Sequence, residues 1–184
     1  MTGRIQAQLW EVALDQDGYV TTHDAGRLGI NVVELGKLAY RHQLQRVAHG
    51  IYRFAQLPPT EFAPYTLAVL WADGRAALAH ATAIDLYDLA DVNPDTIHLT
   101  VPPGYRPRRQ GGDLYTVHHQ SLDADQVRRF EGIPIVTPAV AIAQVIDDGT
   151  AGHLIRQAIE TARNRGQIAP AEQTALTAKL QERP

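Results

Sequence analysis

The sequence predicts an α+β protein of two domains, and three observations lead to this prediction. Apolar residues recur every three or four positions in several segments, as in amphipathic helices, while short alternating runs are typical of strands. Pro58 and Pro59 disfavour helix before them and indicate an extended connection. Charge divides at the same place: residues 1–57 hold six Lys/Arg and five Asp/Glu, whereas residues 58–100 hold one Arg against six acids. The predicted domains are therefore 1–57 and 58–184.

The first domain is predicted to run helix, short strand, helix, helix and two strands. The predicted helices span 4–14, 23–28 and 32–42, and the predicted strands span 19–20, 44–47 and 51–54. Thr22 and Asn31 are the predicted N-caps of the second and third helices, and Gly29 suits a tight turn between them. This order within about 50 residues is that of a winged helix-turn-helix, whose third helix enters the major groove of DNA.

The second domain is predicted to mix helices with short strands. The predicted helices span 61–72, 76–87, 138–146, 151–165 and 170–181. The predicted strands span 97–101, 114–118, 127–130 and 133–136, and the last two form a hairpin around Glu131 and Gly132. Thr137 followed by Pro138 is typical of a helix start, and Gly166 of a helix end.

The amino-acid composition limits the kinds of active site that the chain can form. The 184 residues include no cysteine, two lysines (Lys37 and Lys179) and one serine (Ser121). The lack of cysteine excludes disulfides, thiolate nucleophiles and cysteine-ligated zinc. Ser121 does not lie in a nucleophile-elbow motif, and Lys179 lacks the neighbouring acid that a metal-dependent nuclease needs. We therefore predict a binding protein that is not an enzyme and uses no cofactor.

Eight histidines raise the question of a metal site. His118 and His119 are adjacent, so on a strand they point to opposite faces. The sequence contains no pair of histidines at the spacing that binds metal on a helix. We therefore predict structural roles for His80 and His98, in or near the core, and no metal ligands.

The third helix of the first domain carries a polar face suited to DNA. Its predicted anchoring residues are Val32, Leu35, Leu38, Ala39 and His42. The predicted DNA-binding residues of this helix and the hairpin after it are Asn31, Glu34, Lys37, Tyr40, Arg41, Arg46, His49 and Arg53, with Arg27 as a further phosphate contact. Between Asn31 and Arg53 there are four cations and one acid, which favours phosphate binding although the whole chain has a net charge of −3.

Each of these residue types suggests a particular contact. Lys37 and Arg41 are expected to reach bases or phosphates, while Tyr40 donates a hydrogen bond to a phosphate. Arg46 and Arg53 are expected to hold the DNA backbone at the hairpin.

A second basic cluster, Arg106, Arg108 and Arg109, lies in a predicted loop. It is interpreted either as a solvated loop or as an extra contact to the DNA backbone.

Three runs in the first domain resemble a known family. They are G-Y-V-T-T at 18–22, A-G-R-L-G-I at 25–30 and L-Q-R-V-A-H-G-I-Y-R at 44–53. Over about residues 5–54 they resemble the N-terminal domain of the AbiEi-family antitoxins. Looser matches to longer members, reaching about residue 165, are A-H-A-T-A-I at 79–84, I-H-L-T-V-P at 97–102 and I-P-I-V-T-P-A-V-A-I at 133–142.

The resemblance implies an antitoxin of an AbiE-type (type IV) toxin–antitoxin system. Its N-terminal domain would bind inverted repeats in its own promoter as an autorepressor, and its C-terminal domain would counter a nucleotidyltransferase toxin. The expected partners are double-stranded operator DNA and this toxin. We expect a cytoplasmic protein with no membrane contact, as a monomer or weak dimer. Two alternatives stay open: a transcriptional regulator whose second domain senses a ligand or partner, and a protein-interaction module of winged-helix shape.

Overall fold

The computed structural model describes residues 2–109 and 111–183 and confirms the α+β class. The chain forms two compact units. Unit 1 comprises Met1–Arg75 with Arg106–Gly112, and unit 2 comprises Ala76–Tyr105 with Asp113–Pro184. The predicted domain boundary lies between residues 57 and 58. Unit 1 extends beyond it, because it also includes the helix Ala63–Trp71 and the loop Arg106–Gly112.

Unit 1 contains four helices and a small sheet. Its elements are α1 (Thr2–Leu14), β1 (Tyr19–Thr21), α2 (Thr22–Arg27), α3 (Val32–Tyr40), β2 (Gln45–Ala48), β3 (Ile51–Arg53) and α4 (Ala63–Trp71). The antiparallel sheet has the order β1-β3-β2. The order of the first six elements is the one predicted from the sequence.

The core of unit 1 lies between α1, α3 and the sheet. Leu9, Leu35 and Phe54 are fully buried, and the Trp10 ring meets Phe54 edge-on at 5.0 Å between centroids. Leu35 and Leu38 anchor α3 as predicted.

Two of the predicted anchors of α3 are wrong. Val32 is 46% exposed, because the first turn of the helix extends beyond the core. His42 is exposed and lies past the end of α3, where its φ of 56° has left the helical range. Helical spacing placed both residues on the apolar stripe, but it does not tell where that stripe leaves the core.

The N-cap of α2 is Thr21, one residue before the predicted Thr22. The Thr21 hydroxyl accepts a hydrogen bond from the Asp24 amide at 3.1 Å, and the Asp24 carboxylate accepts one from the Thr21 amide at 2.9 Å. Both threonines can cap a helix, but the acid three residues later favours Thr21 as a capping box. Asp24 also accepts from the Arg27 guanidinium at 2.6 Å.

In the described part of the chain, unit 2 combines a five-stranded sheet with four α-helices. Its elements are β4 (Ala77–Leu78), α5 (His80–Leu86), β5 (Ile97–Val101), β6 (Tyr115–His119), β7 (Val127–Phe130), β8 (Ile133–Val136), α6 (Pro138–Asp147), α7 (Gly152–Asn164) and α8 (Pro170–Gln181). The strand order is β6-β5-β4-β8-β7. β5 pairs with β6 and β4 with β8 in parallel, while the other two pairs are antiparallel.

The predicted helix over 76–87 is wrong in its first part. Ala77 and Leu78 form the central strand β4, and α5 begins only at His80. Both residues of β4 are buried between neighbouring strands. A short run of small apolar residues fits a buried strand as well as a helix, so periodicity does not separate the two.

The predicted hairpin of β7 and β8 is confirmed. Glu131 and Gly132 form its turn, and both have positive φ, as a two-residue hairpin turn of the right twist requires. Among residues 2–109 and 111–183, no helix is long and apolar enough to cross a membrane.

Removing the Asp24 carboxylate should destabilise the protein in a pH-dependent way. Burial raises the pKa of Asp24, but hydrogen bonds from Thr21, Arg27 and Gln16 outweigh it and leave that pKa below its ordinary value. A lowered carboxyl pKa gives stability that is present above the ordinary Asp pKa and lost as the pH falls through the folded-state value. We expect Asp24→Ala to cost about 2 kcal/mol at pH 7.

Urea unfolding of wild type and Asp24→Ala at several pH values measures this effect. The gap between the two unfolding free energies should narrow below about pH 4. Asp15→Ala, on an exposed carboxylate, serves as the control. A gap that stays constant down to pH 3 would contradict the assigned role of the Asp24 charge.

Candidate functional site

The outer face of α3 is defined by Val33, Gly36, Lys37, Tyr40 and Arg41, which recur at helical spacing. All five are exposed, and Tyr40 is 87% exposed. The backbone is open at Gly36, where an added Cβ would meet no atom within 4 Å. This face combines two cations, a phenol and an apolar side chain on a helix that Leu35 and Leu38 hold from behind.

Two predicted DNA-binding residues make local contacts on α3. The Asn31 side chain accepts a hydrogen bond from the Val33 amide at 2.9 Å, which confirms Asn31 as the N-cap. Glu34 pairs with Lys37 at 2.6 Å. Because exposed ion pairs of this kind are weak, a phosphate can displace Glu34 from the ammonium group.

The hairpin β2–β3 presents a second cationic surface of unit 1. Arg46 and His49 are exposed, with 3.4 Å between Arg46 Nη2 and His49 Nδ1. The turn needs glycine at position 50, where φ is 71° and an added Cβ would lie 3.0 Å from Thr22 Oγ1. The Thr22 amide donates to the Gly50 carbonyl at 2.9 Å, which holds the turn against α2.

Arg27 and Arg53 are engaged inside unit 1. Arg53 is half-buried, donates to the Leu57 carbonyl at 2.5 Å and lies 5.8 Å from the centre of the Tyr19 ring. Arg27 pairs with the buried Asp24, although 61% of its side chain stays exposed. A DNA contact by either residue would therefore compete with an internal contact.

The loop Arg106–Gly112 is held in unit 1 by Arg109. This guanidinium donates to the carbonyls of His49, Leu70 and Trp71 at 2.7 to 2.9 Å and pairs with Asp73 at 2.6 Å. With 15% of its side chain exposed, Arg109 has a structural role that the sequence did not indicate. The predicted extra DNA contacts at Arg106 and Arg108 lie on exposed residues of the same loop.

The loop also shapes a groove in unit 1. Arg46, His49, Asp73, Arg108 and Arg109 line it. Arg109 is paired with Asp73, and Arg46 and Arg108 are the groove's other two guanidinium groups.

Unit 2 contains a group that the sequence did not predict, which we call the histidine cluster: His80, His98, His118 and Asp148. Each of these four residues offers one nitrogen or oxygen atom, and these four atoms all lie within 4.8 Å of one another. His98 Nδ1 and His118 Nε2 are 3.0 Å apart, and His80 Nδ1 lies 2.5 Å from an Asp148 oxygen. The His80 and His118 rings stack, with 3.4 Å between centroids.

Four elements bring the histidine cluster together. His80 begins α5, His98 lies on β5, His118 lies on β6 and Asp148 follows α6. In the parallel pair β5–β6, His98 is opposite Thr116 and His118 opposite Thr100, so the two histidines share one face of the sheet. His119 points away and contacts the Tyr105 carbonyl, as expected for neighbours on a strand.

Burial favours the neutral form of the three imidazoles. It is the main reason that the pKa of His118 falls to about 4, and the nearby His80 lowers that pKa further. Burial likewise lowers the pKa of His98 and of His80, although Asp148 acts in the opposite direction on both. Neutral imidazoles are nucleophilic nitrogen donors, which makes this group suited to binding an electrophilic centre.

A buried amide, Gln144, supports the histidine cluster from α6. Its oxygen accepts a hydrogen bond from the His80 amide at 3.0 Å, and its nitrogen donates to Gln120 at 2.8 Å and to Thr100 at 3.2 Å. Ala79, the N-cap of α5, has no side chain that can cap, so Gln144 satisfies this end of the helix instead. His80 is held there with a φ of 52°, which is costly for a residue other than glycine.

The sequence could have suggested part of the histidine cluster. His98 and His118 occur in two runs that were predicted as strands, and a histidine pair follows if those strands are neighbours. Nothing in the spacing says that they pair in parallel, or that α5 and α6 add His80 and Asp148. Residues from four separate segments leave no local motif.

Comparisons with known proteins leave the family of the chain open. No protein-family model and no curated protein matches it. One similar solved structure is that of the RV2827C protein from Mycobacterium tuberculosis. It is 18% identical, with a TM-score of 0.47, over 96% of this chain and 81% of that one. A similarity at this level supports no statement about function.

Replacing Gln144 should show that it holds unit 2 together. Gln144→Met keeps the size of the side chain but leaves the His80 amide and its other partners without a bond, so we expect a loss of about 2 kcal/mol in unfolding free energy. Urea unfolding measures this loss. Gln157→Met is the control, because the Gln157 contacts with Asp91 are exposed and should cost less than about 0.5 kcal/mol. Equal losses in the two variants would contradict the role of Gln144.

Proposed function

We propose that unit 1 is a winged-helix domain that binds double-stranded DNA, with α3 in the major groove and the β2–β3 hairpin as the wing. The observation that carries the proposal is the outer face of α3, where Lys37, Tyr40 and Arg41 are all exposed. A buried stripe on the opposite side leaves this face available to a partner. An α-helix fits the width of the major groove, and these side chains can reach bases and phosphates.

Local charge supports this proposal although the chain as a whole is acidic. Between Asn31 and Arg53 the four cations are Lys37, Arg41, Arg46 and Arg53, against Glu34 alone. The first three are exposed and Arg53 is half-buried. Exposed cations replace the counterions of the phosphates, and the release of those counterions drives binding.

The loop Arg106–Gly112 would extend the DNA contact. Arg109 fixes this loop to the carbonyl of His49 at the tip of the hairpin. Arg108 then lines the same groove as Arg46, where two cations can share one phosphate. In this proposal Arg106 and Arg108 bind the DNA backbone, and Arg109 positions them.

We further propose that the protein is an antitoxin that represses its own operon and counters a nucleotidyltransferase toxin through unit 2. The resemblance of the first domain to the AbiEi-family antitoxins supports this assignment, and the runs at 18–22, 25–30 and 44–53 fall on β1, α2 and the β2–β3 hairpin. The operator would carry inverted repeats, filled by monomers or a weak dimer. In this proposal the protein is not an enzyme and acts in the cytoplasm.

A second candidate is a transcriptional regulator whose C-terminal unit senses a ligand. The histidine cluster favours this alternative, because three neutral imidazoles beside a carboxylate are a donor set for a small ligand. Both candidates share the DNA-binding unit and differ in what unit 2 recognises.

Replacing Lys37 and Arg41 together should weaken binding to the protein's own promoter DNA. We expect Lys37→Ala/Arg41→Ala to lose at least about tenfold in affinity at 150 mM salt, and the slope of log K against log salt to fall by about two, one for each lost phosphate contact. Gel shifts over a range of salt concentrations measure both. The matched control is Arg156→Ala/Lys179→Ala, which removes the same charges from unit 2. Equal affinity of the two double variants would contradict the assignment of α3.

Co-expression tests the antitoxin proposal. A nucleotidyltransferase encoded next to this gene should arrest growth when expressed alone, and the full chain should restore growth. The Lys37→Ala/Arg41→Ala variant should restore growth as well, since the countering activity is assigned to unit 2. If the wild-type chain does not restore growth, the antitoxin proposal is contradicted, whereas the DNA-binding proposal is unaffected.

A further inference from the structure

The histidine cluster has a composition that a purely structural role does not require. Structural histidines ordinarily satisfy both ring nitrogens with hydrogen bonds. Here His80 is 5% exposed, and its Nε2 is buried without a hydrogen-bond partner among the described residues. Its Nδ1 faces Asp148 at 2.5 Å. The unpaired nitrogen is therefore the atom that needs an explanation.

We propose that His80, His98 and His118 bind a divalent transition-metal ion through one imidazole nitrogen each, with the Asp148 carboxylate orienting His80 and supplying negative charge. This inference concerns unit 2 alone and does not depend on DNA binding by unit 1.

The contact between Asp148 and His80 supports this site. An imidazole that donates one N–H to a carboxylate presents the lone pair of its other nitrogen, and metal-binding histidines commonly have such a partner. The Asp148 carboxylate is in place to accept from Nδ1, which leaves Nε2 as the donor atom of His80. The same residue thus has a fixed orientation and an unused lone pair.

The spacing of the donor atoms also fits a metal ion. Zinc–nitrogen bonds of 2.0–2.1 Å place two ligands of a tetrahedral ion about 3.3 Å apart. His98 Nδ1 and His118 Nε2 are 3.0 Å apart, and the four groups all lie within 4.8 Å of one another. Because the His80 and His118 rings are stacked, at least one of them would have to rotate for both lone pairs to point at one ion.

Metal binding uses the neutral form of histidine, in which one ring nitrogen carries a free lone pair. A metal ion would replace the hydrogen bond between His98 and His118, in which one ring donates to the other. The donating ring would move that proton to its other ring nitrogen, so the imidazoles would lose no proton on binding.

The donor set indicates the class of ion. Three imidazoles and no thiolate favour Zn²⁺, Ni²⁺, Co²⁺ or Cu²⁺ over the hard ions Mg²⁺ and Ca²⁺, which prefer oxygen ligands. Asp148 keeps 34% of its side chain exposed, so this side of the cluster is open to solvent and an ion can enter. We take Zn²⁺ as the ion, with Co²⁺ as its spectroscopic substitute.

A bound ion would join parts of unit 2 that are distant in sequence. It would tie the start of α5 to β5 and β6, beside the end of α6. Because the ion binds the folded cluster and not the unfolded chain, it would raise stability by mass action.

Titration of the chelator-treated full-length protein with Zn²⁺ and with Co²⁺ tests the proposal. Calorimetry should show one Zn²⁺ per chain, and Co²⁺ should give the visible absorption of a nitrogen-ligated ion. We expect His98→Gln and His118→Gln each to weaken binding by about 100-fold or more, and Asp148→Asn by about 10- to 100-fold as an orienting partner. Circular dichroism checks that each variant is folded.

The matched controls are His119→Gln and His153→Gln. His119 is the neighbour of His118 on the opposite strand face, and His153 is exposed on α7. Both should bind one equivalent with unchanged affinity. The proposal is overturned if the wild type binds neither ion, if Co²⁺ keeps the spectrum of the hydrated ion, or if the cluster variants bind like the controls. Loss of DNA binding in the other experiments leaves this test unaffected.

Discussion

Unit 2 depends on the pairing of the two-residue strand β4 with the strands on either side of it. Ala77 and Leu78 pair with β5 on one side, and Leu78 pairs with β8 on the other. Without this strand, the β5–β6 pair and the β7–β8 hairpin would be two separate ribbons, each too small to be stable alone. β4 also sets the position of His80, because Ala79 donates to the His98 carbonyl at 3.1 Å directly after the strand ends.

The same pairing explains why polar groups can be buried beside it. α5 starts within two residues of β4, so its first amide is deep in unit 2 and has no capping side chain nearby in sequence. Gln144 reaches it from α6 and satisfies it. A buried amide without a hydrogen-bond partner costs about 1–3 kcal/mol. The Gln144 contact therefore contributes to the stability of unit 2, as the apolar core does. The group that holds α5 thereby also fixes the backbone of a cluster residue.

Much of unit 1 could be predicted from the sequence, because its signals are local. Leu35 and Leu38 show the buried side of α3, Asn31 shows its start, and Glu131 with Gly132 shows the hairpin of unit 2 equally well. The errors occur where two local solutions are equally good. Thr21 and Thr22 both can cap α2, and the run before His80 fits a helix or a buried strand.

Long-range contacts are what the sequence could not predict. Arg109 belongs to a basic loop, yet it joins the carbonyls of His49, Leu70 and Trp71, which lie some forty to sixty positions earlier. The histidine cluster likewise gathers residues from four segments. In both cases the tertiary packing decides which residues meet, and the spacing of residues within one segment does not identify a distant partner.

Burial sets the charged groups of unit 1 apart from the imidazoles of unit 2. In unit 1 the cations of α3 and β2 are exposed, and Lys37 pairs with Glu34 at the surface. In unit 2, burial lowers the pKa of His118 to about 4, because a buried cation near other histidines is unfavourable. A neutral imidazole offers a lone pair that a protonated one does not. A chain without cysteine and with two lysines thus still gathers three imidazoles beside a carboxylate, and only the fold brings them together.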